Sequence, residues 1–361
     1  MTNPHLTHCK SLFTLLSTML LLSSCDRNTP TITVVCEENY VGNSIVKWEI
    51  MPEIQGNVKA YASTNPDNII EQNAVAMAPI SDSRMTIVTP DPTRRYYYTL
   101  VFNEKYRVKI ATRNIIIPGL QNFRDLGGYA SNPGHKRVRW GQLYRSAAID
   151  SLPSWSLSEL KNIGIRTIID LRTPDETPAP SLLEKHFRVV HAPVTVGCTR
   201  HLIRKIERQE ISNDSVCKDM EKMYNAIVSK DQPAFKQIFE TLLDESNYPI
   251  VMHSATGKGR LGVVAALILA ALQVDEADIM ADYELSNTYF DIRNASKVAY
   301  NLPAASQEAI TSVYAARVNY LDTSLRTIKE KYGDIPTYLR KGIGLSKDDI
   351  KKLQKLLLEK Q

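Results

Sequence analysis

The stretch from Tyr248 to Val263, YPIVMHSATGKGRLGV, constrains the fold more than any other part of this chain. Ile250–Met252 reads as a buried β run and leads directly into a loop carrying Gly257 and Gly259. An apolar helical segment rich in Ala, Leu and Val, Leu261–Leu272, follows at once. Glycine tolerates positive φ, so such a loop can turn successive backbone N–H groups inward. Inward amides make an anion-binding nest, and the N-terminus of the next helix adds its positive end. Arg260 opens that helix, where a planar guanidinium can grip two phosphate oxygens. Together these parts describe a phosphate receptor. A nucleotide-binding P-loop needs G-x-x-x-x-G-K-[ST]; Met252 stands where its first glycine belongs and Gly259 replaces its Ser/Thr, which excludes that reading.

Around this loop, strand-like runs at Thr167–Leu171, Val189–Pro193 and Pro249–His253 alternate with helical ones. Amphipathic spacing predicts helices over Ser156–Asn162, Met220–Val228, Ala234–Leu243 and Glu276–Leu285. The end of the chain is expected to be almost wholly helical, over Gln307–Tyr332, Ile335–Lys341 and Lys347–Glu359. The fold class expected is α/β, a central sheet flanked by helices, spanning 113–361. Cys198 to Arg204 has a formal C-x₅-R spacing, but it has no glycine to form a cradle and no strand leading into it.

His253–Gly262 resembles the H-C-x-x-G-x-x-R-x-G loop of protein tyrosine phosphatases at His253, Gly257, Arg260 and Gly262. Other segments are similar to the bacterial tyrosine/serine phosphatase family, of dual-specificity-like type. These are NFRDLGGY from Asn122, GQLYRSA from Gly141, GIRTIIDLR from Gly164 and YGDIPTYLRKGIGLS from Tyr332. The resemblance implies a phosphatase domain acting on phosphotyrosine or phosphoserine proteins or phosphoinositide-like substrates. It implies no metal or other cofactor, since the loop itself neutralises the phosphate. It assigns His253, Ala255, Thr256, Gly257, Lys258, Gly259 and Arg260 to substrate binding. Asp170 becomes the candidate general acid, and Arg124, Asp125 and Arg145 line or brace the site.

The same resemblance exposes three departures. Ser254 stands where the family has its nucleophilic cysteine, and a serine hydroxyl is a far weaker nucleophile without an adjacent base. Leu261 replaces a Ser or Thr whose hydroxyl assists the chemistry, and Gly259 replaces an Asp common in close relatives. Loss of both the nucleophile and its helper favours natural substitution over an engineered Cys→Ser trap. Two expectations therefore stand: a phosphatase of weakened activity, or a phosphate-binding pseudophosphatase or interaction lipoprotein.

Residues 26–112 read as a small β-sandwich. Short β runs at Thr31–Cys36, Ser44–Ile50, Val58–Ser63, Met85–Val88, Tyr96–Phe102 and Arg107–Thr112 are separated by turn residues. Trp48 and the Tyr96–Tyr98 cluster make it similar to a fibronectin type III domain, with spacing or partner contact as its expected role. Residues 1–25 read as a signal: Lys10, then an apolar run Leu12–Leu22 too short to span a bilayer. Leu22-Ser23-Ser24-Cys25 resembles a bacterial lipobox, which implies lipidation at Cys25 and an exported, membrane-anchored protein. The remaining Cys36, Cys198 and Cys217 lack metal-type spacing and do not demand a disulfide, although a Cys198–Cys217 bridge is permitted. A net charge of +5 without basic–aromatic runs argues against nucleic acid.

Overall fold

The computed structural model describes residues 29–89, 91, 94–132, 134–150, 152–177, 183–195 and 199–360. The expected signal, Cys25 and Cys198 lie outside the described residues. Within them, no helix is long and apolar enough to cross a membrane.

The N-terminal part is built from β1 (Thr31–Glu38), β2 (Ser44–Met51), β3 (Asn57–Ser63), β4 (Ala76–Pro79), β5 (Arg84–Ile87), β6 (Tyr97–Phe102) and β7 (Tyr106–Ala111). These strands form two antiparallel sheets, ordered β1-β2-β5 and β4-β3-β6-β7. Side chains alternate across each strand, so Ser44, Val46 and Trp48 of β2 turn inward. The Trp48 indole N–H donates to the Ile80 carbonyl at 2.9 Å, and the ring meets Phe102 edge-on with centroids 5.7 Å apart. β4 is absent from the sequence expectation because Ala-Met-Ala-Pro carries no β-branched residue. As an edge strand it needs only one partner.

The second part adds β8 (Arg124–Asp125), β9 (Ala130–Ser131), β10 (Lys136–Val138), β11 (Leu143–Ser146), β12 (Thr167–Asp170), β13 (Arg188–His191), β14 (Ile250–His253) and β15 (Leu358–Lys360). Its main sheet has the order β13-β12-β14-β11-β8, parallel throughout except for β8. β12 and β14 are buried at every position, as a parallel sheet covered on both faces requires.

The helices are α1 (Ser154–Asn162), α2 (Arg200–Glu207), α3 (Asn213–Lys230), α4 (Gln232–Leu242), α5 (Gly259–Ala271) and α6 (Glu276–Glu284). They continue with α7 (Ser286–Tyr289), α8 (Ile292–Ala295), α9 (Ala304–Tyr314), α10 (Val318–Tyr332), α11 (Ile335–Thr337) and α12 (Lys347–Leu357). α5 is apolar on every side and nearly all buried, which marks it as a core helix rather than a surface one.

Two expectations need correction. The helix expected over Gln307–Tyr332 is broken between α9 and α10. There the Asn287 side chain binds both the N–H (2.6 Å) and the carbonyl (2.9 Å) of Ala316, replacing the helical ladder. The C-terminal helix stops at Leu357, and Leu358–Lys360 pair with β10 as a strand. The Cys198–Arg204 segment contains the start of α2, whose Leu202 and Ile206 are buried.

Candidate active site

β11, β12 and β14 end level with one another, since Ser146 and Asp170 are both in register with His253. Ligands of open parallel sheets sit beyond such carboxyl ends. The loop that leaves β14 at Ser254 and enters α5 at Gly259 occupies this position at the centre of the sheet.

The loop's carbonyls are held from behind. Ala255 O accepts from the Ala148 amide at 3.3 Å. Thr256 O accepts from Asn122 Nδ2 at 3.0 Å, and Gly257 O from Arg145 Nη2 at 2.7 Å. In a trans peptide the C=O and the following N–H point in opposite directions. Fixing these three carbonyls therefore turns the amides of Thr256, Gly257 and Lys258 to the other side, toward the cavity. The first turn of α5 adds N–H groups without helical acceptors, the ladder beginning with Gly262 N–H to Lys258 O at 2.6 Å. Gly257 has φ +66°, and a Cβ there would lie 2.5 Å from Ser146 O. No other residue fits.

Arg260 is nearly buried and pairs two-pronged with Glu176, Nη1 to Oε2 at 2.5 Å and Nη2 to Oε1 at 2.8 Å. Burial pushes the Glu176 carboxyl up, but Arg260 and the Thr173 amide pull harder and hold it at about 2. The pair uses two of the five guanidinium N–H donors, leaving three for another oxygen-rich partner. Glu176 sits in a short turn, Pro174–Glu176, closed by a capping box with Thr173.

Loop and pair floor a cavity of about 280 Å³. Its polar floor carries Ser254, Ala255, Thr256, Gly259 and Arg260, and its walls include Ile203, Met220, Met223 and Ile227 of α2 and α3. A larger cleft of about 530 Å³ lies between residues 114–123 and 287–293, away from this floor.

Ser254 lies in the floor, and among the described residues no carboxylate or imidazole hydrogen-bonds its hydroxyl. His253 is fully buried, and its ring nitrogens have no hydrogen-bond partner among the described residues. Its Nε2 stands 3.5 Å from Asp170, and burial lowers the ring to about 4, so it is neutral. Among the described residues the ring therefore makes no hydrogen bond that would orient the loop. Lys258 lines the cavity as well, but its ammonium group donates to the carbonyls of Val313 (2.6 Å) and Ala315 (2.9 Å), fastening the loop to the end of α9. Asp170 accepts from Arg172 through both oxygens, at 3.0 and 2.9 Å. Burial raises its carboxyl, but Arg172 outweighs burial and holds it below the usual range. In this geometry Asp170 is an ion-pair partner of Arg172, which favours its ionised form. Gly259 has no side chain to serve as general acid.

Arg124, Asp125 and Arg145 are all fully buried behind the loop. Arg124 and Arg145 share Asp282, Nε to Oδ1 at 3.1 Å and Nη1 to Oδ2 at 2.5 Å. Burial raises the Asp282 carboxyl, and the two guanidinium groups drive it well below the usual range. Arg124 also binds the Asn122 side chain, the same residue that holds Thr256 O. The sequence reading missed Glu176, Asp282 and Asn122 as site residues. Asn122 was present in a recognised motif, whereas Glu176 and Asp282 lie 84 and 137 residues from the arginines they serve. No local pattern announces them.

The sequence profile described as the Tyrosine phosphatase family matches residues 115–359. A Cupriavidus necator protein assigned by name to the tyrosine-protein phosphatases is 31% identical over 230 residues, covering 61% of this chain and 81% of that protein. The triple specificity protein phosphatase PtpB of Mycobacterium tuberculosis is 26% identical over 281 residues, covering 67% of this chain and 98% of that protein. A tyrosine-protein phosphatase of Nostoc commune is 25% identical over 217 residues, 58% of this chain and 72% of its own.

Proposed function

The chain belongs to the tyrosine phosphatase family, and we propose that it recognises phosphomonoesters at the 254–260 loop while turning them over slowly or not at all. One observation carries this reading: the loop carbonyls are held from behind, yet among the described residues no base is hydrogen-bonded to the hydroxyl at the nucleophile position, Ser254. Serine attack on phosphorus needs its proton removed, and a neutral His253 facing Asp170 does not reach for it. The leaving oxygen needs a proton too, whereas Arg172 favours the ionised form of Asp170 and Gly259 has no side chain. Binding needs none of these steps.

In this reading the substrates are phosphorylated proteins or phosphoinositide-like polyanions, bound without a metal. The leader and Cys25 support a lipid-anchored, exported protein of the bacterial cell envelope, and the fibronectin-like sandwich a surface for a protein partner. Aryl-phosphate turnover and orthovanadate binding by the native chain and by Ser254→Cys test the central part. We expect vanadate bound by both chains and turnover gained with the cysteine. Rapid turnover by the native chain contradicts the proposal.

A further inference from the structure

We infer that Arg95, contributed by the N-terminal β-sandwich, is a positioning residue for the phosphate loop, acting through Asp125 and Arg145. The inference rests on the reading that this loop seats phosphate, and it makes the sandwich a working part of the site rather than a spacer.

Arg95 precedes β6 and is almost completely buried at the junction of the two parts. Its Nη2 donates to Asp125 Oδ2 at 2.8 Å and its Nε to the Tyr97 hydroxyl at 3.0 Å. Tyr97 in turn meets the Tyr144 hydroxyl at 3.0 Å. Asp125 has no exposure, and its two oxygens also accept the amides of Gly127 (2.7 Å) and Gly141 (2.8 Å). One carboxylate thus fixes both ends of the segment between β8 and β11. Across the β8–β11 ladder Asp125 faces Tyr144 and Arg124 faces Arg145. Arg145 is the side chain that holds the Gly257 carbonyl and so aims the loop amides. Sandwich contacts therefore converge on the back of β11, and the loop hangs from its front. Trp140 confirms how closely the parts are joined, because it is packed in the sandwich core although it comes from the second part.

Without Arg95, Asp125 is a buried carboxylate deprived of its nearest counter-ion. Burial already pushes its carboxyl up against the pull of Arg95. It then takes up a proton or draws in water, and either change loosens the Gly127 and Gly141 amides. The expected consequence is a shift of β11 and of the loop it carries.

The test compares orthovanadate affinity and thermal unfolding in full-length native chain, Arg95→Met, Arg95→Met/Asp125→Asn and Lys109→Met. Lys109 pairs with Glu359 at 2.5 Å elsewhere on the same junction, so its loss weakens the junction without touching Asp125. Arg95→Met is expected to weaken vanadate binding about tenfold or more, because small misplacements of binding groups are costly. The double variant removes the stranded charge, but its side-chain NH₂ cannot accept one of the Gly127 and Gly141 amides, so its affinity is expected to stay as low as that of Arg95→Met. Lys109→Met keeps affinity within about twofold whatever melting temperature it loses, as additivity between separate sites predicts. If Arg95→Met does not fold, Arg95→Gln is read against the same expectations. Native-like affinity in the Arg95 variant, or an equal loss in Lys109→Met, overturns the inference alone. Failure of the native chain to bind vanadate overturns the phosphate-site reading and this inference with it.

Discussion

Glu176 and Arg260 meet as a two-pronged pair on the cavity floor, so the guanidinium placed to take phosphate already holds a carboxylate. The pair fixes the plane of the fork, and it also balances a charge that would otherwise be buried alone. Breaking a buried pair from one side costs about 3–5 kcal/mol. Glu176→Ala is therefore expected to lower the melting temperature sharply. Tungstate or vanadate should then stabilise the variant more than the native chain, because the anion replaces the missing carboxylate. The pH dependence follows from the same pair. The Glu176 carboxyl is held at about 2, below its ordinary 4.5, so its contribution is complete above 4.5 and is lost as pH falls toward 2. Thermal unfolding across that acid range checks both points, and an equal anion response in the two chains contradicts them.

Gly257 is the position where the loop tolerates least. An added Cβ would meet Ser146 O at 2.5 Å and Ala147 N at 2.6 Å, both backbone atoms that cannot swing aside, with φ at +66°. Gly257→Ala should cost about 2 kcal/mol or more and abolish anion binding, since relief of the clash moves the Thr256–Lys258 amides. Chemical denaturation and calorimetric titration of the variant measure the two effects. Undiminished vanadate affinity would mean that those amides do not form the seat.

Lys258 gives the loop a second pH dependence of opposite origin. Burial draws its ammonium group from 10.5 down to about 7, while the Val313 and Ala315 carbonyls hold the proton it keeps. The folded value is the lower one, so the unfolded chain protonates first as pH falls. Stability is accordingly expected to decline as pH drops from about 10.5 to about 7 and to level off below. Lys258→Met should flatten this dependence. Urea midpoints across the window provide the measurement; a native chain with no slope there, or a variant with the same slope, contradicts the assignment.

What could be read from the sequence divides along the range of the interactions. The strand, loop and helix at 250–271 were legible because two glycines and an arginine at fixed spacing leave few conformations open. Six sandwich strands were legible from short β runs bounded by turn residues, and the observed β1–β3 and β5–β7 fall within two residues of them. The break between α9 and α10 was not, for it contains neither glycine nor proline and is imposed by Asn287 from another helix. Asp170 shows the same limit. Its motif placed it at the end of β12, but only the folded chain shows both oxygens bound to Arg172. Lys258 likewise read as an anion contact from its place in the loop, and its length carries it to α9 instead.

Calorimetric titration of the native chain with tungstate, with Arg260→Met alongside, tests the seat itself. A tetrahedral dianion should bind the native chain at one site per molecule and lose about tenfold or more in affinity in the variant, a charged hydrogen bond being worth about 1.5–3 kcal/mol. Saturable binding that ignores Arg260, or no binding by the native chain, would contradict the account.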